Sequence, residues 1–322
     1  MTTDPGTSEY DRFGPWVDTV TTTQDVPRLY RDHPMDVTAA RVVLKVPRNI
    51  ARRDATADMD LYDHLIVLDD DHLTVLSRST GAATGRGAPP AEPYRVHRIA
   101  LSEIVAVRNT TNLLEAGLTV QARDGSSTSI RYNGSARETI DDLVDALRPS
   151  VALPEPGRSA RALLTAVRSQ PSGLALPGPD DQDVALANDY RQVARRNPGL
   201  VAWAWHGRRR LAPRPAGLPG LVARVGLVFS PVTLHGAVLA ADDRGLEIIG
   251  RHDFLVSGRA PVLSLARLVV PFGTLDGVVV TPHPRFAGTV SVVLRAGRSE
   301  VALAVPEGSQ AHGVFRAAAG AS

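Results

Sequence analysis

The second half of this chain repeats the pattern of its first half, and few features constrain a fold more. Leu65 to Leu68 and Leu73 to Leu76 are apolar runs separated by Asp69-Asp70-Asp71, and Val238-Leu239 and Leu246 to Ile249 flank Asp242-Asp243-Arg244-Gly245. Short apolar runs around such a turn predict a β-hairpin, although the first arm is continuously apolar rather than alternating. Further on, Ile104 matches Leu275, Gly117 matches Gly288, Gly125 matches Gly297, and Gly134-Ser135 matches Gly308-Ser309, with displacements between 171 and 174 residues. Small loop insertions leave that drift between two copies of one unit, and 322 residues suffice for two cores.

Within the first copy, Ile104 to Val107 reads as a strand. The run Leu118 to Arg123 meets the turn signal Asp124-Gly125 before Thr128 to Tyr132 returns, which completes a meander of short antiparallel strands. A helix closes it. Ser135 and Glu138 have capping-box spacing, Ile140, Leu143, Val144 and Leu147 form one apolar stripe, and Pro149 is expected to stop the helix. Asp141 and Asp142 lie towards its positive end and Arg148 towards its negative end.

The second copy places Val314 as far after Ser309 as Ile140 lies after Ser135, but Gly313 should interrupt this helix and Ala319-Gly320 should fray it. Upstream, Val26, Leu29 and Tyr30 precede Arg31-Asp32-His33-Pro34, and Tyr190, Val193 and Ala194 precede Arg195-Arg196-Asn197-Pro198. Both read as amphipathic turns ended by proline. The resulting division is a disordered N-terminal segment 1–24, a first domain 25–150, a Pro-rich and partly helical linker 151–183, and a second domain 184–322. Residues 79–93 read as a long flexible loop.

Composition narrows the function classes. The absence of cysteine removes disulfides, thiolate metal sites and cysteine nucleophiles, and fits a reducing compartment; with no signal-like start, a cytoplasmic location is expected. The most apolar stretch, 217–241, is broken by Pro219, Arg224, Pro231 and His235, so it reads as two strands and a turn rather than a membrane span. A sequence pI of about 9.2 looks basic, yet the formal net charge is only +2. Lys45 is the only lysine, and the arginine bias is weak evidence for phosphate recognition.

Chemistry-bearing motifs are sparse. Asp58, Asp60 and Asp63 could hold a magnesium ion beside a substrate phosphate, but a solvated loop before a strand explains them more simply. Gly81 to Gly87 is glycine-rich like a phosphate loop, yet it lacks the Gly-Lys-Ser/Thr ending and leads into prolines rather than a helix. The nine histidines make no short-spaced pair around a glutamate, and no Gly-x-Ser-x-Gly elbow is present. No catalytic residue, metal ligand or cofactor site is assigned, and the chain reads as a binding module rather than an enzyme.

The hairpin Leu65 to Arg78, the segment Arg98 to Val107 with its counterpart Val269 to Val278, the strands around Asp124-Gly125 and the helix from Ser135 resemble the pleckstrin-homology-like fold, particularly bacterial pleckstrin-homology and GRAM-type domains. The resemblance implies a mainly β (α+β) chain of two tandem antiparallel β-barrels, each closed by a C-terminal helix. Some domains of that class bind phosphoinositides through a basic first hairpin. Here the hairpin turns are acidic and would repel phosphate, so the resemblance speaks for fold rather than for lipid.

The candidate partner surface is Val201-Ala-Trp203-Ala-Trp205 followed by Arg208, Arg209, Arg210 and Arg214, with a weaker basic cluster at Arg48, Arg52 and Arg53. Period-two spacing would put both tryptophans on one strand face, where they are either core or aromatic anchors beside arginines. The leading expectation is a scaffold or adaptor that contacts a protein partner. The rival is a peripheral membrane protein whose Trp203–Arg214 region meets anionic head groups. Nucleic acid is disfavoured because the basic footprint is small.

Overall fold

The computed structural model describes residues 9–79, 92–150, 155–170, 174–177, 183–214, 232–251, 255–257 and 264–320. The glycine-rich segment 81–87, Phe254 and most of the expected strand pair in 217–241 lie outside them. In chain order come α1 (Glu9–Arg12), β1 (Asp18–Thr19), β2 (Val42–Pro47), β3 (Tyr62–Leu68), β4 (His72–Arg78) and β5 (Tyr94–Ala100). A 3-10 turn (Leu101–Glu103), β6 (Ile104–Asn112), β7 (Glu115–Ala122), β8 (Ser127–Asn133) and α2 (Arg137–Ser150) follow. Then come α3 (Arg158–Arg168), α4 (Val184–Arg196), β9 (Val201–His206), β10 (Arg209–Arg210), β11 (Val232–Leu234), β12 (Ala237–Ala241), β13 (Gly245–Gly250), β14 (Leu255–Ser257) and β15 (Ser264–Pro271). A 3-10 turn (Phe272–Thr274), β16 (Gly277–Pro282), β17 (Thr289–Ala296), β18 (Ser299–Pro306) and α5 (Gln310–Ala319) follow.

The chain is mainly β, in several antiparallel sheets, and no closed barrel is found among the described residues. The order of strand, 3-10 turn, three strands and helix occurs twice, from β5 to α2 and from β15 to α5. The preceding hairpins β3–β4 and β12–β13 are built alike. Asp69 Oδ1 accepts the N–H groups of Asp71 and His72, and Asp242 Oδ1 accepts those of Arg244 and Gly245. Each aspartate turns the chain by satisfying two amides that the strands leave over.

Contacts divide the chain into two compact units, one of 1–101, 114–118 and 128–151, the other of 102–113, 119–127 and 152–322. In the first, the strands run in the order β1-β2-β3-β4-β5, all antiparallel. Leu65 to Leu68 are all buried, which accounts for their unbroken apolar run: a strand covered on both faces has no polar side. The segment expected to be without structure contributes to this core from Glu9 onward. Phe13 and Val20 pack with Tyr30, Tyr62 and Leu65, and β1 pairs with β2. The lone lysine, Lys45, is buried with its ammonium over the Tyr62 ring.

In the second unit the order is β6-β15-β13-β12-β9, again antiparallel. One face of this sheet carries Leu239, Ile248, Leu268 and Val270, which share a core with Ala160 and Leu163 of α3, Val292 and Leu303 of β17 and β18, and Val314 and Phe315 of α5. The opposite face presents Val238, Ala240, Ile249 and Leu265 to Leu186 and Val193 of α4. The matched glycine turns also meet: the Arg298 N–H donates to the Arg123 carbonyl, and Ser299 Oγ donates to the carbonyl of Ala122. The Arg123 guanidinium grips both carboxylate oxygens of Asp276, at 2.7 and 2.8 Å.

Two helix ends differ from the sequence reading. Asn133, not Ser135, caps the first, its side chain accepting from the Ser135 N–H, because a 3-10 turn (Gly134–Ala136) precedes α2 and moves the cap upstream. The helix also extends past Pro149 to Ser150, since a proline near the C-terminal end still has a helical φ. The second helix, α5, runs unbroken through Gly313. Ser309 Oγ accepts from the His312 N–H while His312 Nδ1 accepts from the Gly308 N–H, so histidine does the reciprocal work usually done by glutamate.

Candidate functional site

The edge of the second unit is built by β9 and the segment after it. In the pairing of β9 with β12, Leu239 faces Ala204 and Ala240 faces Ala202, which leaves Trp203 as the extra residue of a β-bulge. The bulge breaks the period-two pattern. Trp203, 3% exposed, packs in the core with its ring 5.8 Å from that of Phe315 in an edge-to-face arrangement. Trp205 joins the opposite face, packed with the Leu186 and Val193 group, and its indole N–H donates to the Ala175 carbonyl at 2.7 Å. The expectation of both tryptophans on one face is therefore corrected.

The strand ends at His206, which is buried opposite Ala237. Burial holds its imidazole down to about 4; the charge of Arg209 acts in the same direction, while the Gly207 carbonyl and Asp183 oppose it. Asp183 accepts the Arg208 N–H at 3.0 Å. A Cβ on Gly207 would lie 3.0 Å from that carboxylate and one on Gly236 would lie 3.2 Å from it, so glycine at both places makes room for the clamp.

Beyond this clamp the side chains of Arg208, Arg209 and Arg210 are exposed, the last two on β10 paired with Thr233 and Leu234 of β11. Leu211 turns inward to Leu234, Phe286 and Ala304. The chain then runs beside 285–287: Pro213 bridges Phe286, the Arg214 N–H donates to the Arg285 carbonyl, and the Ala287 N–H donates to the Ala212 carbonyl.

This brings in a residue that the sequence did not single out. The Arg285 guanidinium lies 5.3 Å from the centre of the Phe286 ring, and the same ring stacks on His283 at 4.9 Å. His283 Nδ1 accepts the N–H groups of both Arg285 and Phe286, which holds the turn. Burial, then the charges of Arg285 and Arg214, lower its pKa, so the neutral form that can accept is favoured. His283-Pro284-Arg285-Phe286 carries no signal beyond a turn, and only strand pairing reveals its place.

Arg208, Arg209, Arg210, Arg214 and Arg285 thus line one edge, and among the described residues none of them has a carboxylate within ion-pair distance. Arg214 Nε is buried with no hydrogen-bond partner among them. Some arginines elsewhere are paired: Arg28 with Asp60 at 3.1 Å and Arg78 with Asp63 at 2.7 Å. Those pairs, with the Thr56 hydroxyl on Asp58, engage separately the three carboxylates considered for magnesium. Of the weaker basic cluster, Arg48 donates to the Asp60 carbonyl and Arg52 to the Phe13 carbonyl, while Arg53 lies beside Asp54. No group of three or more His, Cys, Asp or Glu among the described residues is arranged to hold a metal ion, and no helix there is long and apolar enough to cross a membrane.

Comparison with known proteins finds no match to this chain among family models, curated proteins or solved structures.

Proposed function

We propose that this is a non-catalytic scaffold or adaptor of two tandem pleckstrin-homology-like domains, whose basic edge receives an acidic segment of a protein partner in the cytoplasm. The two-domain reading is supported by the recurrence of the strand, 3-10 turn, three-strand and helix order. The partner reading is carried by one observation: five arginines lie together along 208–214 and the neighbouring segment 285–287, and among the described residues none has a carboxylate within ion-pair distance. Guanidinium groups are fork-shaped donors suited to carboxylates, and charge complementarity at such an edge gives specificity and fast encounter. The lipid reading loses its aromatic anchor, because Trp203 is in the core and the Trp205 indole is already bonded.

Affinity capture from cytoplasmic extract, run in parallel with the wild-type chain and with Arg208→Glu/Arg210→Glu, tests this. A protein recovered at near-stoichiometric yield by the wild type and lost with the variant supports it. Equal recovery by both chains, or retention by anionic vesicles with no protein captured, overturns it.

A further inference from the structure

β6 of the first repeat pairs with β15 of the second, while among the described residues the strands matching them have no such partner. The match follows the element order. The turns Leu101–Glu103 and Phe272–Thr274 are displaced by 171 residues, which makes β5 the counterpart of β15 and β16 the counterpart of β6. β15 and β6 form an antiparallel pair with Val269 opposite Val107, Arg267 opposite Asn109 and Leu265 opposite Thr111. β5 ends its sheet and β16 ends its own, each with a strand on one side only among the described residues. Among the described residues the chain thus carries one such pairing made and the two halves of another left open.

We propose that β5 of one molecule pairs antiparallel with β16 of a second, in the register that β15 and β6 use within the chain. Transferring that register by 171 residues sets Val96 opposite Val280, His97 opposite Val279 and Arg98 opposite Val278. Val96 is 48% exposed, an unusual place for a valine on a strand, and Val280 is only partly buried. In the inner pair the same position holds Arg267 and Asn109, so the open edges replace a polar pair by an apolar one. Facing β-branched residues stabilise antiparallel strands, and unpaired edge N–H and C=O groups gain partners at the same time.

Charged residues often guard edges, and β5 carries Arg95, His97 and Arg98. In the transferred register they face Thr281, Val279 and Val278, so no like charges meet. The second copy is the favoured occupant because the chain itself displays the docking register. The contact is heterologous, joining different edges of two molecules, so it generates closed rings or open chains rather than a simple isologous dimer. It rests on the recurrence of the strands and not on the identity of the partner at the arginine edge.

The absence of cysteine makes the test direct. Val96→Cys and Val280→Cys are made as separate proteins, mixed, and exposed to a mild thiol oxidant, with His97→Cys and Val279→Cys as a second mixture. Adjacent antiparallel pairs alternate between the wide and the close spacing, so one of the two mixtures presents thiols within disulfide reach. We expect mixed disulfide dimers well in excess of either homodimer in one mixture. Sedimentation of the wild type should also shift to larger species with rising concentration, and Val280→Lys should abolish that shift. Statistical pairing in both mixtures overturns the proposal. So does a wild type that stays monomeric at every concentration, or a Val280→Lys chain that is folded by circular dichroism yet still associates.

Discussion

At the scale of single residues, two buried polar groups set the sharpest expectations. His206 titrates near 6.5 in an unfolded chain and at about 4 in the folded one, mainly because burial disfavours its charged form. The unfolded state therefore takes up a proton between these values that the folded state refuses. This group's contribution is complete above pH ~6.5 and falls away as the pH drops towards ~4, by roughly 3 kcal/mol over the window. Burial lowers His33, His64 and His283 as well, so they add to the same trend. Urea unfolding at pH 7 and at pH 4.5 should show a smaller stability difference in His206→Gln than in the wild type. The second group is the Arg267–Glu247 pair, 2.5 Å apart with side chains 1% and 0% exposed. Arg267→Met takes the guanidinium away from a fully buried carboxylate and should cost ~3–5 kcal/mol in equilibrium unfolding, while Arg267→Met/Glu247→Met should recover much of that loss. Neither site is legible in the sequence, because Glu247 and Arg267 look like ordinary solvent-facing residues of strands until both faces of the sheet are known to be covered.

At the scale of elements, what is local was readable and what depends on a neighbour was not. The aspartate hairpins and the strands around Asp124-Gly125 are fixed by residues within a few positions of each other, and they stand where the sequence puts them. The cap moved from Ser135 to Asn133 because both can accept an amide, and only the backbone decides between them. Trp203 and Trp205 went to opposite faces because a bulge is a property of two paired strands, not of one. Glycines separate the same way. Gly313 sits inside α5 with open space where a Cβ would be, so Gly313→Ala should stabilise the chain by up to ~1 kcal/mol and raise its melting temperature. Gly297 has φ +58 and a Cβ there would lie 2.4 Å from the Arg123 carbonyl. Gly297→Ala should therefore destabilise the chain by more than the ~1–2 kcal/mol that a left-handed backbone alone costs, and lower its melting temperature. Calorimetry on the two variants side by side checks both signs.

At the scale of the whole molecule, a formal net charge of +2 conceals an uneven distribution. Five arginines that have no carboxylate partner among the described residues lie together, whereas the strand edges β5 and β16 face each other, in the proposed pairing, through valines and backbone amides. The two contacts draw on different physics and should separate under salt. At ~0.15 M salt the screening length is about 8 Å and at 1 M about 3 Å, so a solvated arginine–carboxylate contact weakens steeply over that range. Strand pairing sealed by apolar side chains does not. A fluorescent glutamate-rich peptide should lose anisotropy with the chain as salt rises, while sedimentation of the same samples reports unchanged self-association. If both signals fall together, association also runs through the arginine edge, and the valine register is not what joins the molecules. If neither falls, the peptide is held by something other than charge, and the acidic-partner reading fails while the strand pairing stands.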